Sequence, residues 1–106
     1  MEDYEVEFAE RLEKAIIKER RRRGKELMEE IITRVPEILE EHGEEFPEEP
    51  FSSELKKARK NGVGWENFRD KSLPIIFGTM SGWVGDLLEE DREVYEMLEE
   101  YLEPTT

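Results

Sequence analysis

The sequence predicts an all-α protein, a single helical domain over residues 1–106 built as a compact bundle of five or six helices. Three observations predict it. Apolar residues recur at the 3.6-residue helical period, and no stretch alternates with the period of two that marks a strand. Capping and stop residues punctuate the chain at helix-length intervals. Residues 73–88, LPIIFGTMSGWVGDLL, are the one strongly apolar run in a sequence that is 42% charged. At about 100° per residue, Leu73, Ile76, Phe77, Met80, Trp83, Val84, Leu87 and Leu88 share one broad face of that run. Gly78, Gly82 and Gly85 fall opposite. A helix with large residues on one side and none on the other is expected to be buried all round, so 73–88 is predicted as the central helix.

The other elements follow in order. Residues 4–22 carry Tyr4, Phe8, Leu12, Ala15 and Ile16 at helical spacing, with Asp3 as N-cap. Apolar residues then vanish from Lys18 to Glu26 and resume at Leu27, Met28, Ile31, Ile32 and Val35. A continuous or bent helix across Gly24 is favoured over two helices, since one internal glycine costs only about 1 kcal/mol. Pro36 suits the first turn of a new helix bearing Ile38 and Leu39, stopped at Gly43. Residues 44–50, EEFPEEP, read as a loop anchored by Phe46. Phe51 to Lys60 reads as a short basic helix with Ser52 or Ser53 as N-cap and Leu55 inward, ended by Asn61-Gly62. Trp65 to Arg69 adds a turn or two. Ser72 is the expected cap of the central helix, with Pro74 in its first turn. Asp91 caps the last helix, whose stripe is Val94, Met97, Leu98, Tyr101 and Leu102, and Pro104 ends it.

Composition narrows function. With no cysteine, disulfides, thiolate metal sites and thiol nucleophiles are excluded. His42, the single histidine, rules out a two-histidine site, and its place beside Gly43 suits a partner for terminal helix carbonyls. Nothing resembles a signal peptide, and the apolar run is short for a membrane span, so a soluble, cytoplasmic protein is expected. The Glu-, Lys- and Arg-rich, cysteine-free composition also matches that of thermostable proteins.

No catalytic set stands out. The acidic runs 37–54 and 86–103 lack the spacing of a calcium loop, and Leu39 stands where a di-iron Glu-x-x-His motif needs its glutamate. They read as solvated faces. Asp86, near Thr79, is the one acid in an apolar setting and is expected to face solvent or pair with an arginine. No enzyme activity, cofactor or metal is therefore expected.

The net charge of −13 opposes a nucleic-acid partner unless the cations segregate. Two groups do so along the sequence: Arg20, Arg21, Arg22 and Arg23, and Lys56, Lys57, Arg59 and Lys60. Joined in space, they would form a patch for nucleic acid or phosphate; otherwise they pair with the surplus glutamates.

Trp65 follows the turn Asn61-Gly62-Val63-Gly64 and precedes Phe68. It either plugs the core or, with Phe68, Phe46 and Phe51, lines a groove for a partner helix. The run Asn-Gly-Val-Gly-Trp and the small-residue-rich apolar segment after it, residues 61–88, are similar to the BH1 region of Bcl-2-like apoptosis regulators. That resemblance implies a helical bundle around a central apolar helix, with a groove for amphipathic helices. The sequence departs from it at Glu66 and Asn67, where the family has Gly-Arg, and in lacking a later BH2-like tryptophan motif. The leading expectation is a non-catalytic interaction module that binds another protein or itself, including as a homodimer. Phosphate or nucleic-acid binding through the basic groups is the alternative.

Overall fold

The structure, a computed structural model, describes residues 2–103, with side chains from Glu5 onward. Asp3 lies within α1 and so does not precede it as an N-cap; its side chain, that of Tyr4, and Pro104 lie outside that description. Among the described residues the fold is all-α. It has four helices of ten residues or more, not five or six: α1 (Glu2–Glu41), α2 (Glu48–Lys60), α3 (Ser81–Glu90) and α4 (Arg92–Leu102). Single turns occupy the segment between α2 and α3.

The count falls because α1 does not break at either candidate point. Gly24 is helical and buried. The Arg59 guanidinium lies against it, so close that an added Cβ would sit 3.0 Å from Nη2. The gap in the apolar stripe is thus where an arginine from α2 packs. Pro36 lies inside α1 instead of opening a new helix. An internal proline costs about 3 kcal/mol. Val35 and Leu39, both fully buried, anchor the chain on either side of it. Each such side chain contributes about 1.5–3 kcal/mol, enough to hold the helix through the defect.

Glycine ends both α1 and α2 as expected. Gly43 (φ +78°) lets Glu44 N–H donate to Leu39 C=O (2.9 Å) and its own N–H to Glu40 C=O (3.0 Å). Gly62 (φ +68°) does the same for α2, with Val63 N–H on Ala58 C=O at 2.9 Å. Both are Schellman closures, in which a left-handed glycine satisfies the last orphan carbonyls. The serine caps are not found. The α2 segment begins upstream, with a non-helical kink at Glu49, and leaves Ser52 buried within it. Ser72 has helical backbone angles and makes no capping bond. Asp91 does cap: its carboxylate accepts from Val94 N–H at 3.1 Å.

The largest correction concerns residues 73–88. They form no single helix. An α-helical stretch, Leu73–Phe77, gives way at Gly78 to a 3-10 turn, Gly78–Met80, and then to α3. Gly78 sits at φ +59°, ψ −128°, a backbone conformation that only glycine adopts without strain. The break turns Ile75 (68% exposed) and Trp83 (40% exposed) toward solvent, while Leu73, Val84 and Leu88 stay fully buried. No helix packs along the glycine row. Gly82 faces open space, and Gly85 is covered by the Arg69 side chain.

The core forms instead where α1 packs on α4, with α2 and α3 closing around them. The α4 stripe, Val94, Met97, Leu98, Tyr101 and Leu102, is buried as its spacing requires. From α1 only the second half contributes, through Leu27, Met28, Ile31, Val35 and Leu39. Forty residues of helix span about 60 Å at 1.5 Å per residue. That nearly equals the molecule's longest extent of 63 Å, against 23 and 22 Å in the other directions. Every described side chain from Glu5 to Arg23 is exposed. The N-terminal half of α1 is therefore an arm that projects from a small helical body.

Two glycines four residues apart should respond oppositely to alanine. Gly78→Ala should destabilise by about 1–3 kcal/mol because of its positive φ. Gly82→Ala, in open helical space, should stabilise by up to about 1 kcal/mol. Chemical denaturation of both variants checks this. By the same measurement, Asp91→Ala should cost about 1 kcal/mol for loss of the α4 cap.

Candidate interaction surfaces

The structure brings the four predicted aromatic residues together, but as core. Phe51 and Phe68 are fully buried and Trp65 is 6% exposed; Phe46 is half-buried. Ring centroids stand 5.0 Å apart for Phe46–Phe51, 6.1 Å for Phe51–Phe68 and 6.0 Å for Trp65–Phe68. Such edge contacts are how aromatic side chains fill an interior. The surface depressions bordering Trp65 and Phe46 are separate. The first is walled by Glu96, Glu99, Glu100 and Glu103, the second by Ile32, Pro36 and Gly43 together with Glu40, Glu44, Glu45 and Glu48. The four rings thus line no shared apolar groove, because the turn after Gly62 folds Trp65 and Phe68 beneath α2 and α4.

Trp65 also anchors a polar cluster. Its indole N–H donates to Glu89 at 2.9 Å, and Glu89 pairs with Arg69. Arg69 in turn bonds Asp86 at 2.6 Å, so Asp86 is the arginine-paired, outward-facing acid that its position suggested. The hydrogen bond from Arg69, then that from Trp65, holds the Glu89 carboxyl below the ordinary glutamate range. His42 behaves as expected too, with Nδ1 3.0 Å from Ile38 C=O. Trp83, expected in the core, lies at the surface edge-on to the His42 ring at 5.7 Å.

The two basic groups do meet. Arg20, Arg21, Lys25, Lys56 and Arg59 line a cleft of about 690 Å³ between α1 and α2, together with Glu29 and the less polar Ile17, Met28 and Tyr101. Arg59 is structural: it donates to Tyr101 C=O (2.8 Å) and Arg20 C=O (3.4 Å), and its guanidinium lies 4.6 Å from the centre of the Tyr101 ring. Arg22 pairs with Glu19 and Glu26, and Arg23 grips Glu100 through two bonds of 3.0 and 2.9 Å. Their hydrogen-bonded glutamates, Glu19 and Glu100, are correspondingly held below the usual carboxylate range. Lys57 and Lys60 are exposed and lie outside the cleft lining.

One surface was missed by reading the sequence as a bundle. Phe8 (62% exposed), Leu12 (53%) and Ile16 (45%) stand on the arm with nothing against them, and Val6 and Ile17 are also exposed. Their helical spacing marks a helix without saying which side is covered. The signal that they stay uncovered is the charged gap at residues 18–26, which separates them from the stripe that does reach the body.

Among the described residues no cluster of histidine or acidic side chains is arranged to hold a metal ion, and no helix is long and apolar enough to cross a membrane. Comparison with protein-family models, curated proteins and solved structures finds no match for this chain.

Replacing the buried Trp65 by alanine should cost about 3–5 kcal/mol, a large drop in melting temperature. Part of the pH response should trace to Glu89. A carboxyl whose folded-state pKa is depressed contributes stability above the ordinary glutamate range, and that contribution is lost as pH falls through the lowered value. Thermal melts from neutral to acid pH should therefore show a smaller acid-induced fall in Glu89→Gln than in the native sequence.

Proposed function

We propose that the protein is a non-catalytic interaction module whose binding element is the projecting half of α1. The observation that carries this reading is the exposed stripe of Phe8, Leu12 and Ile16, which lies ahead of the helix's contacts with the body at Arg20 and Arg23. Most helical stability in proteins comes from packing an apolar face. Covering the stripe recovers about 25 cal/mol for each Å² removed from water. A partner would therefore be selected by its ability to cover that face. This places the contact on the arm and leaves Trp65, Phe68, Phe51 and Phe46 to build the body that holds it.

The basic cleft supports a second reading. Arg20, Arg21, Lys25 and Lys56 converge beside Ile17, Met28 and Tyr101, an arrangement suited to a phosphate-bearing ligand with an apolar portion. Steep weakening of binding with rising salt would mark that mode, whereas coverage of an apolar stripe would resist salt.

Replacing Phe8, Leu12 and Ile16 together by serine separates binding from folding. At concentrations where the chain is monomeric, unfolding free energy should stay within about 1.5 kcal/mol, as for three ordinary surface changes. Complexes heavier than the 12.7 kDa chain, read by native mass spectrometry, should disappear. Loss of several kcal/mol of stability would mean that the stripe is packed within the molecule, and would sink the proposal.

A further inference from the structure

We infer that the occupant of the arm is a second copy of this chain, lying antiparallel to the first about a two-fold axis at Leu12. This rests on the arm being the binding element. Phe8, Leu12 and Ile16 are evenly spaced by four. A two-fold axis at Leu12 sets Leu12 against Leu12 and each Phe8 against the other copy's Ile16, the self-complementary contact that such symmetry demands. Ala9 and Ala15 flank the stripe and allow close approach of the two backbones.

The charges favour the same direction. Residues 5–11 hold three glutamates and one arginine, while residues 13–23 hold six cations and two glutamates, of which Arg22 and Glu19 pair with each other and Arg23 is held by Glu100. A parallel pair would lay Arg20 to Arg23 beside their own counterparts. The antiparallel pair brings the acidic tip of each arm to the basic root of the other, and Glu5 beside Arg20. Glu5 also meets Glu19 in this register, but Glu19 is already neutralised by Arg22.

The bodies do not obstruct the pairing. At 3.6 residues per turn, the stripe lies about 120° around α1 from the side that carries Gly24, Ile31 and Val35 into the core. Contacts with the body begin at Arg20, eight residues from the axis. Each body therefore stands about 12 Å along the helix from the crossing, at opposite ends.

The cysteine-free chain permits a direct test. Under mild oxidation, Leu12→Cys should form a covalent dimer by itself. Phe8→Cys mixed with Ile16→Cys should cross-link roughly tenfold faster than either alone, because pairing raises the effective concentration of the facing thiols. Light scattering of the unmodified protein across a concentration series should approach twice 12.7 kDa. Self-linking of Phe8→Cys faster than the mixture would overturn the antiparallel arrangement. A mass fixed at 12.7 kDa at every concentration would overturn self-association. Amide exchange on that monomer then separates two failures. Unprotected amides at residues 5–17 leave the arm free for a different protein, whereas protected ones remove the arm as a binding element altogether.

Discussion

A single helix longer than the body that packs on it is the constraint on which this structure depends. Residues 27–39 of α1 supply one wall of the core, and α4 supplies the wall opposite. The same helix, carried unbroken through Gly24, sets the position of everything before it. Helical continuity is a local matter of hydrogen bonds, yet here it has a long-range effect. It holds five large apolar side chains away from the core that the described residues form. A 12.7 kDa chain has limited apolar surface with which to build a core, and this one leaves part of it outside.

The junction between arm and body is made by Arg59. Its guanidinium lies against Gly24, stacks on Tyr101 and bonds the Tyr101 and Arg20 carbonyls, tying α1, α2 and α4 together where the buried stripe ends. Arg69 has a matching role at the other end of the core. It covers Gly85 and links Asp86 and Glu89 to the segment carrying Trp65. Both glycines leave room for a planar cation that a Cβ would crowd. In a protein this acidic, arginines placed against glycine do part of the work that aliphatic side chains do elsewhere, through their stems as well as their charges.

Much of the body was legible in the sequence because it follows from local rules. The α4 stripe, the Asp91 cap, the glycine stops at Gly43 and Gly62, and the carbonyl contact of His42 each depend on residues within a few positions. The central-helix reading of 73–88 did not survive, since an apolar periodicity cannot report whether Gly78 takes a positive φ. Pro36 misled for the opposite reason: its local preference to start a helix is outweighed by the burial of Val35 and Leu39. The aromatic set packs in or against the core. Whether a ring faces a groove or the interior depends on which elements close over it, and that is a tertiary fact. The arm escaped notice because an exposed stripe and a buried one share the same spacing.

The account stands or falls on α1 being one straight helix whose first half is uncovered. Spin labels on cysteines replacing Glu10 and Glu40, diluted into unlabelled protein so that only intramolecular pairs count, measure this directly. Thirty residues of continuous helix predict a narrow distance distribution near 45 Å. A shorter or broad distribution would mean that the chain bends or breaks near Gly24 and lays the apolar stripe back on its own body, contradicting the account.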